Sequence, residues 1–121
     1  MLTKSLAACG EILAGDKTIL RELLHPSRDP ATIRYSLAHA KLLPRTASLP
    51  HHLKTSEVYY FISGRGRMHV NGDTTAVGPD QAVYVPPGAE QHVENTGTSD
   101  LVFLCIVDPA WKAEDEQVLN L

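Results

Sequence analysis

The chain of 121 residues has no long apolar run, few cysteines and no excess of basic residues, and each shortage excludes a class of protein. No segment approaches the ~18 consecutive apolar residues that a membrane span requires. Cys9 and Cys105 stand at opposite ends of the chain. They form neither a metal-binding pair nor the dense framework of a small secreted domain, and they read as small buried hydrophobes of a protein in a reducing cytoplasm. Lys and Arg number 11 against 14 Asp and Glu, a net charge of −3, so there is no electrostatic footprint for a nucleic acid. Leu6-Ala7-Ala8-Cys9 looks like a lipoprotein cleavage box. It lacks in front of it the charged start and the apolar run of roughly 7–15 residues that a signal peptide needs. The expectation is a cytoplasmic protein with no membrane partner and no nucleic-acid partner.

A sustained helical period is missing too. The best helical stretch runs from Thr3 to Leu13, and Gly10 interrupts it. What is present instead is a series of short alternating runs between turn residues, the pattern of an all-β protein. Thr18 to His25 stops at Pro26, and Thr32 to Leu43 stops at Pro44. Glu57 to Ile62 is rich in β-branched and aromatic residues and ends at Gly64-Arg65-Gly66. Arg67 to Val70 leads into Asn71-Gly72, a strong hairpin signal. Gln81 to Val85, Gln91 to Glu94 and Leu101 to Val107 each end at further Pro or Gly signals. Strands at this spacing predict a sandwich or barrel. The composition, 43% hydrophobic and 21% charged, suits one compact domain over residues 1–121. The acidic tail after Trp111 reads as peripheral.

Two segments carry the chemistry. The first contains His51-His52, then Glu57, then Gly64; the second contains Pro86-Pro87-Gly88, then Gln91-His92, then Asn95. Together they resemble the paired motifs of the cupins, and the resemblance extends over about residues 32–109, with residues 1–30 as an N-terminal extension. Arg45 and Asp80 stand where the motif glycines would be. In one register His51 fills the first histidine slot and Leu53 the second; in the other, His52 fills the second and Pro50 the first. Strand alternation favours His51, because residues 51, 53, 55 and 57 then share a face. Gln91 occupies the histidine slot of the second motif. His92 beside it would turn to the other face unless a bulge near Gly88 re-aims it.

The resemblance implies a cupin double-stranded β-helix, a jelly-roll barrel whose four motif ligands hold a divalent metal. Nitrogen and carboxylate donors suit Fe, Mn, Ni, Cu or Zn. The set available here is His51, Glu57 and Gln91, with His52 or His92 as recruits, and a neutral amide makes it a weaker site than the full one. Tyr59 and Phe61 share the parity of Glu57 and should line the same cavity. Tyr59 and Glu57 are therefore the candidate catalytic groups, able to hold a substrate oxygen or to exchange a proton. Val58, Tyr60 and Ile62 face the other way and are apolar, which calls for a second sheet or a second subunit. By resemblance, residues 17–26 would add a strand to a partner in a homodimer. Two functions follow: a metal-dependent enzyme acting on a small polar organic substrate by isomerase, lyase or dioxygenase chemistry, or a module that binds a small ligand without metal. His25, His39 and His69 have no motif support and read as surface or core histidines.

Overall fold

A computed structural model describes residues 1–119. Eleven strands make up the described fold: β1 (Glu11–Leu13), β2 (Ile19–Leu24), β3 (Ser36–Leu42), β4 (His51–Leu53), β5 (Ser56–Ser63), β6 (Gly66–Val70), β7 (Asp73–Val77), β8 (Ala82–Val85), β9 (Glu90–Asn95), β10 (Leu101–Asp108) and β11 (Glu116–Val118). They form two facing sheets. The first has the order β1-β2-β3-β10-β5-β8 and the second β11-β4-β9-β6-β7. Every named pairing is antiparallel. The alternating pattern predicts a sandwich or barrel and the resemblance to the cupins a jelly roll, and the fold is an all-β jelly roll.

The alternation explains the layers. Along β5 and β10 every second residue is buried, and these residues meet the inward side chains of β6 and β9. Tyr59, Phe61 and Phe103 stack at the centre with ring centroids 5.4 to 6.1 Å apart. Leu42, Met68, Val85, Val93 and Leu101 close around them with almost no exposed surface. Asn95, which matches the motif asparagine, has a structural part. Its amide donates to the Leu42 carbonyl (2.9 Å) and the Ser99 carbonyl (2.8 Å), and its oxygen accepts from the Gly97 amide (2.9 Å).

The backbone also keeps the geometry of the two lost glycines. Arg45 and Asp80 hold φ of 65° and 67°, the left-handed region in which an L side chain is strained. The β6–β7 hairpin has Asn71 and Gly72 at φ 50° and 84°, the paired positive values of the two-residue turn read from the sequence.

Three expectations at the chain ends are corrected. Thr3 to Leu13 is not a helix. A single 3-10 turn, Leu6–Ala8, precedes β1, and the Arg21 guanidinium takes the Leu6 and Cys9 carbonyls at 3.1 Å each, consistent with the break expected at Gly10. Cys9 is only half-buried, whereas Cys105 is buried. The tail beyond Trp111 is not peripheral, since its β11 pairs with β4 and extends the second sheet. The strand at residues 19–24 pairs with β3 of its own chain. No helix among the described residues is long and apolar enough to cross a membrane.

Candidate functional site

The chain leaves the second sheet at the end of β4 and enters the first at β5, so neighbouring residues in sequence face each other across the barrel. His51 stands on β4 next to Gln91 of β9. Glu57 and Tyr59 stand on β5, opposite Val107 and Cys105 of β10. All four are buried: His51 2%, Glu57 6%, Tyr59 2% and Gln91 1% exposed. The Tyr59 hydroxyl donates to Gln91 Oε1 at 2.5 Å and ties one sheet to the other. A cavity of about 770 Å³ opens beside them, lined by His51, Glu57, Tyr59 and Cys105 and walled by Leu20, Leu53, Phe103 and Val107. That lies within the ~300–1,000 Å³ usual for small-molecule sites.

The proton positions on His51 follow from its partners. Nδ1 lies 2.8 Å from the Leu49 carbonyl, which can only accept, so Nδ1 carries the hydrogen. Nε2 is left as the atom that takes or gives a proton on the cavity side. The acidic group nearest to it comes from outside both motifs: Asp16 Oδ2 lies 3.8 Å from Nε2. Asp16 is fixed in the β1–β2 turn, where its Oδ1 accepts from the Thr18 amide (3.1 Å) and hydroxyl (2.8 Å). Its carbonyl accepts from the Leu49 amide (2.7 Å). The Asp16-x-Thr18 spacing is legible as a turn, but nothing local in the sequence ties that turn to His51.

Glu57 is strongly perturbed. Burial and the adjacent Asp16 carboxylate push its pKa from an ordinary 4.5 up to about 8, against partial relief from the Cys105 thiol and the Gln91 amide. Its Oε1 has no hydrogen-bond partner among the described residues. The carboxyl is therefore protonated at neutral pH. Burial likewise holds the Tyr59 phenol and the Cys105 thiol well above their usual ranges, with the Glu57 charge adding to both, so neither is a ready nucleophile.

The remaining candidates lie elsewhere. His52 is on the outer face of β4, with Nδ1 3.1 Å from the Gly88 carbonyl. His92 is on the outer face of β9, its ring stacked on His69 with centroids 4.0 Å apart. Strand alternation through β9 is regular, so no bulge turns His92 inward. His25, without motif support in the sequence, is buried at the cavity wall. Its Nε2 donates to the Trp111 carbonyl (2.8 Å) and its Nδ1 accepts from the Ser27 amide (3.1 Å). It thereby latches the β2–β3 loop to the C-terminal segment over the cavity.

A resident metal ion does not fit this arrangement. Among the described residues no three His, Cys, Asp or Glu side chains are placed to hold one. Leu53, the residue two beyond His51 on the same face, offers no donor, and the amide oxygen of Gln91 already accepts the Tyr59 hydroxyl. The set of His51, Glu57 and Gln91, with His52 and His92 in reserve, is not assembled as a coordination sphere.

Comparison with known proteins gives the class. The family model for the cupin domain matches residues 38–107, and the chain belongs to the cupin family. It is 34% identical over 106 residues to an uncharacterised protein of Methanocaldococcus jannaschii, covering 87% of this chain and 84% of that one. Among solved structures it is similar to a predicted oxalate decarboxylase of Thermotoga maritima, with TM-score 0.79, 22% identity, and 89% and 99% of the two chains covered. It is also similar to the polyketide cyclase RemF of Streptomyces resistomycificus, with TM-score 0.83, 19% identity, and 100% and 87% covered. At such identities the two solved structures share the fold and need not share a reaction.

Proposed function

We propose that this cupin is an acid–base enzyme that binds a small polar organic molecule in the barrel cavity and moves a proton on it, in isomerase or lyase chemistry, without a resident metal. The observation that carries this reading is a buried, protonated carboxyl, Glu57, lining the same cavity as a histidine whose Nδ1 hydrogen is fixed by a carbonyl. A carboxyl that holds its proton and an imidazole whose Nε2 is left free by the Nδ1 hydrogen bond, lining one cavity, are what such reactions use. His51 Nε2 takes a proton from substrate carbon or oxygen. Glu57 gives one to a departing or enolising oxygen. Tyr59, held by Gln91, fixes the wall between them, and Leu53, Phe103 and Val107 exclude water.

The enzyme is further proposed to work as a homodimer joined through the outer face of the first sheet. That face carries Tyr60, Ile62 and Tyr84, which are 39%, 42% and 63% exposed.

The test uses a panel of small hydroxy-carbonyl compounds in D2O, followed by proton NMR. The expected result is deuterium uptake at a carbon next to the carbonyl, slowed ~100-fold or more in His51→Ala and Glu57→Gln. Metal analysis of untagged protein runs beside it. Stoichiometric metal that disappears in both variants would overturn the metal-free mechanism, and ligand binding without any exchange would identify a binding module.

A further inference from the structure

The lining of the cavity also bears on the charge of what enters it. Five acidic residues line it: Asp16, Glu22, Glu57, Glu114 and Glu116. Among the described residues only the Arg28 and Lys112 side chains oppose them with a permanent positive charge, and Arg28 is already paired with Glu22. With Glu57 protonated, Asp16, Glu114 and Glu116 line the cavity with Lys112 as the one remaining cation among the described lining residues. The field is felt at its base, where Asp16 and Glu116 both act on Glu57. A cluster of acids can be no more than a solvated rim, but here a second feature marks a ligand. Glu57, 6% exposed, ends in an oxygen without a partner among the described residues, beside the cavity, and such an atom is costly unless a guest supplies the missing hydrogen bond.

We propose that the ligand is an organic ammonium ion, with the nitrogen at the Asp16–Glu116 side of the cavity, a polar oxygen at Glu57 and an apolar body against Leu20 and Phe103. This rests on the reading of the cavity as the substrate site and adds the substrate class. The aromatic lining supports a cation over a neutral molecule. Trp111 lines the cavity, and its indole N–H donates to Glu116 Oε2 at 3.3 Å, so an aromatic ring and a carboxylate stand side by side. That pair is suited to an ammonium group through charge and cation–π attraction. A carboxylate ligand would meet the opposite: several like charges, and no uncommitted guanidinium among the described lining residues to receive it.

Three probes of one shape and different charge provide the test: 3-phenylpropan-1-amine, 3-phenylpropan-1-ol and 3-phenylpropanoate, titrated at pH 7 into ¹⁵N-labelled protein and followed by amide shifts. The expected order is amine, alcohol, propanoate, with the amine about tenfold tighter than the alcohol. Its advantage should shrink on raising the ionic strength. Glu116→Gln and Asp16→Asn should each reduce the amine's lead and leave the alcohol's affinity in place. Glu116 lies on a partly exposed strand, so its variant keeps the test sound if Asp16→Asn disturbs the β1–β2 turn. Propanoate binding as tightly as the amine, or a lead untouched by Glu116→Gln, would overturn the proposal while leaving the cavity as the site. Failure of all three probes to move the amides around the cavity would overturn the site reading as well.

Discussion

Glu57 is the centre of the proposed chemistry because the barrel gives its carboxyl an apolar, negatively biased place. The linkage has a definite sign. The folded pKa of about 8 lies above the ordinary 4.5, so between those values the folded protein holds a proton that the unfolded chain has lost. Stability must fall as pH rises through that window and level off above it. Every tenfold difference in proton affinity between the two states is worth roughly 1.4 kcal/mol, so the cost is large for a domain of this size. Glu57→Gln, of the same shape and without the charge, should therefore be more stable than the parent at pH 9 and close to it at pH 5, as thermal melts across that range would show. A constant difference between the two proteins would contradict it. His92 has the opposite sign: burial and the stacked His69 hold its pKa below the usual 6.5. The fold therefore loses stability as pH falls through about 6.5, and His92→Gln should flatten the acid side of the same melts.

At the scale of strands and turns, the backbone keeps its shape where the motif residues have changed. Arg45 and Asp80 sit at positive φ in the two glycine slots. Asp80 recovers something by accepting from the Tyr60 hydroxyl at 3.1 Å. Arg45 makes no such side-chain bond among the described residues, so Arg45→Gly should raise stability by about 1 kcal/mol in urea denaturation. The glycines that remain differ among themselves. A Cβ on Gly72 meets nothing within 4 Å, whereas one on Gly64 would lie 2.5 Å from the Asp100 carbonyl. Gly72→Ala should cost about 1 kcal/mol through φ alone, and Gly64→Ala distinctly more. The strands β5, β6, β9 and β10 were legible because one face of each is buried and the period of two survives in the residues. The ends were not. Residues 3–13 are apolar enough for a helix, yet Arg21, distant in sequence, holds the Leu6 and Cys9 carbonyls. The tail is acidic and still becomes β11, because β4 offers it an unpaired edge.

Across the whole molecule, the two sheets hold the site cavity, and the outer face of the first sheet carries exposed apolar side chains. Exposed Tyr60, Ile62 and Tyr84 on neighbouring strands β5 and β8 suit a second copy better than water. On the proposed homodimer, Ile62→Lys with Tyr84→Lys should convert the dimer to a monomer in light scattering, with melting little changed at high dilution; a wild-type protein that already scatters as a monomer would contradict it. The site itself was half legible. Motif spacing and strand parity put His51, Glu57, Tyr59 and Gln91 on inward positions, but the residues that give the cavity its charge and cover come from segments without motif character. Asp16, His25 and Glu116 reach it only through tertiary pairing. The lack of a coordination sphere among the described residues also depends on side-chain partners, above all the Tyr59–Gln91 bond, which no spacing reveals. The most direct measurement is ¹³C NMR titration of the glutamate carboxyls from pH 4 to 10, with Glu57→Gln to assign the signal. A midpoint near 8 for Glu57 is expected from a buried acid without a metal, and a midpoint at or below 4.5 would contradict it.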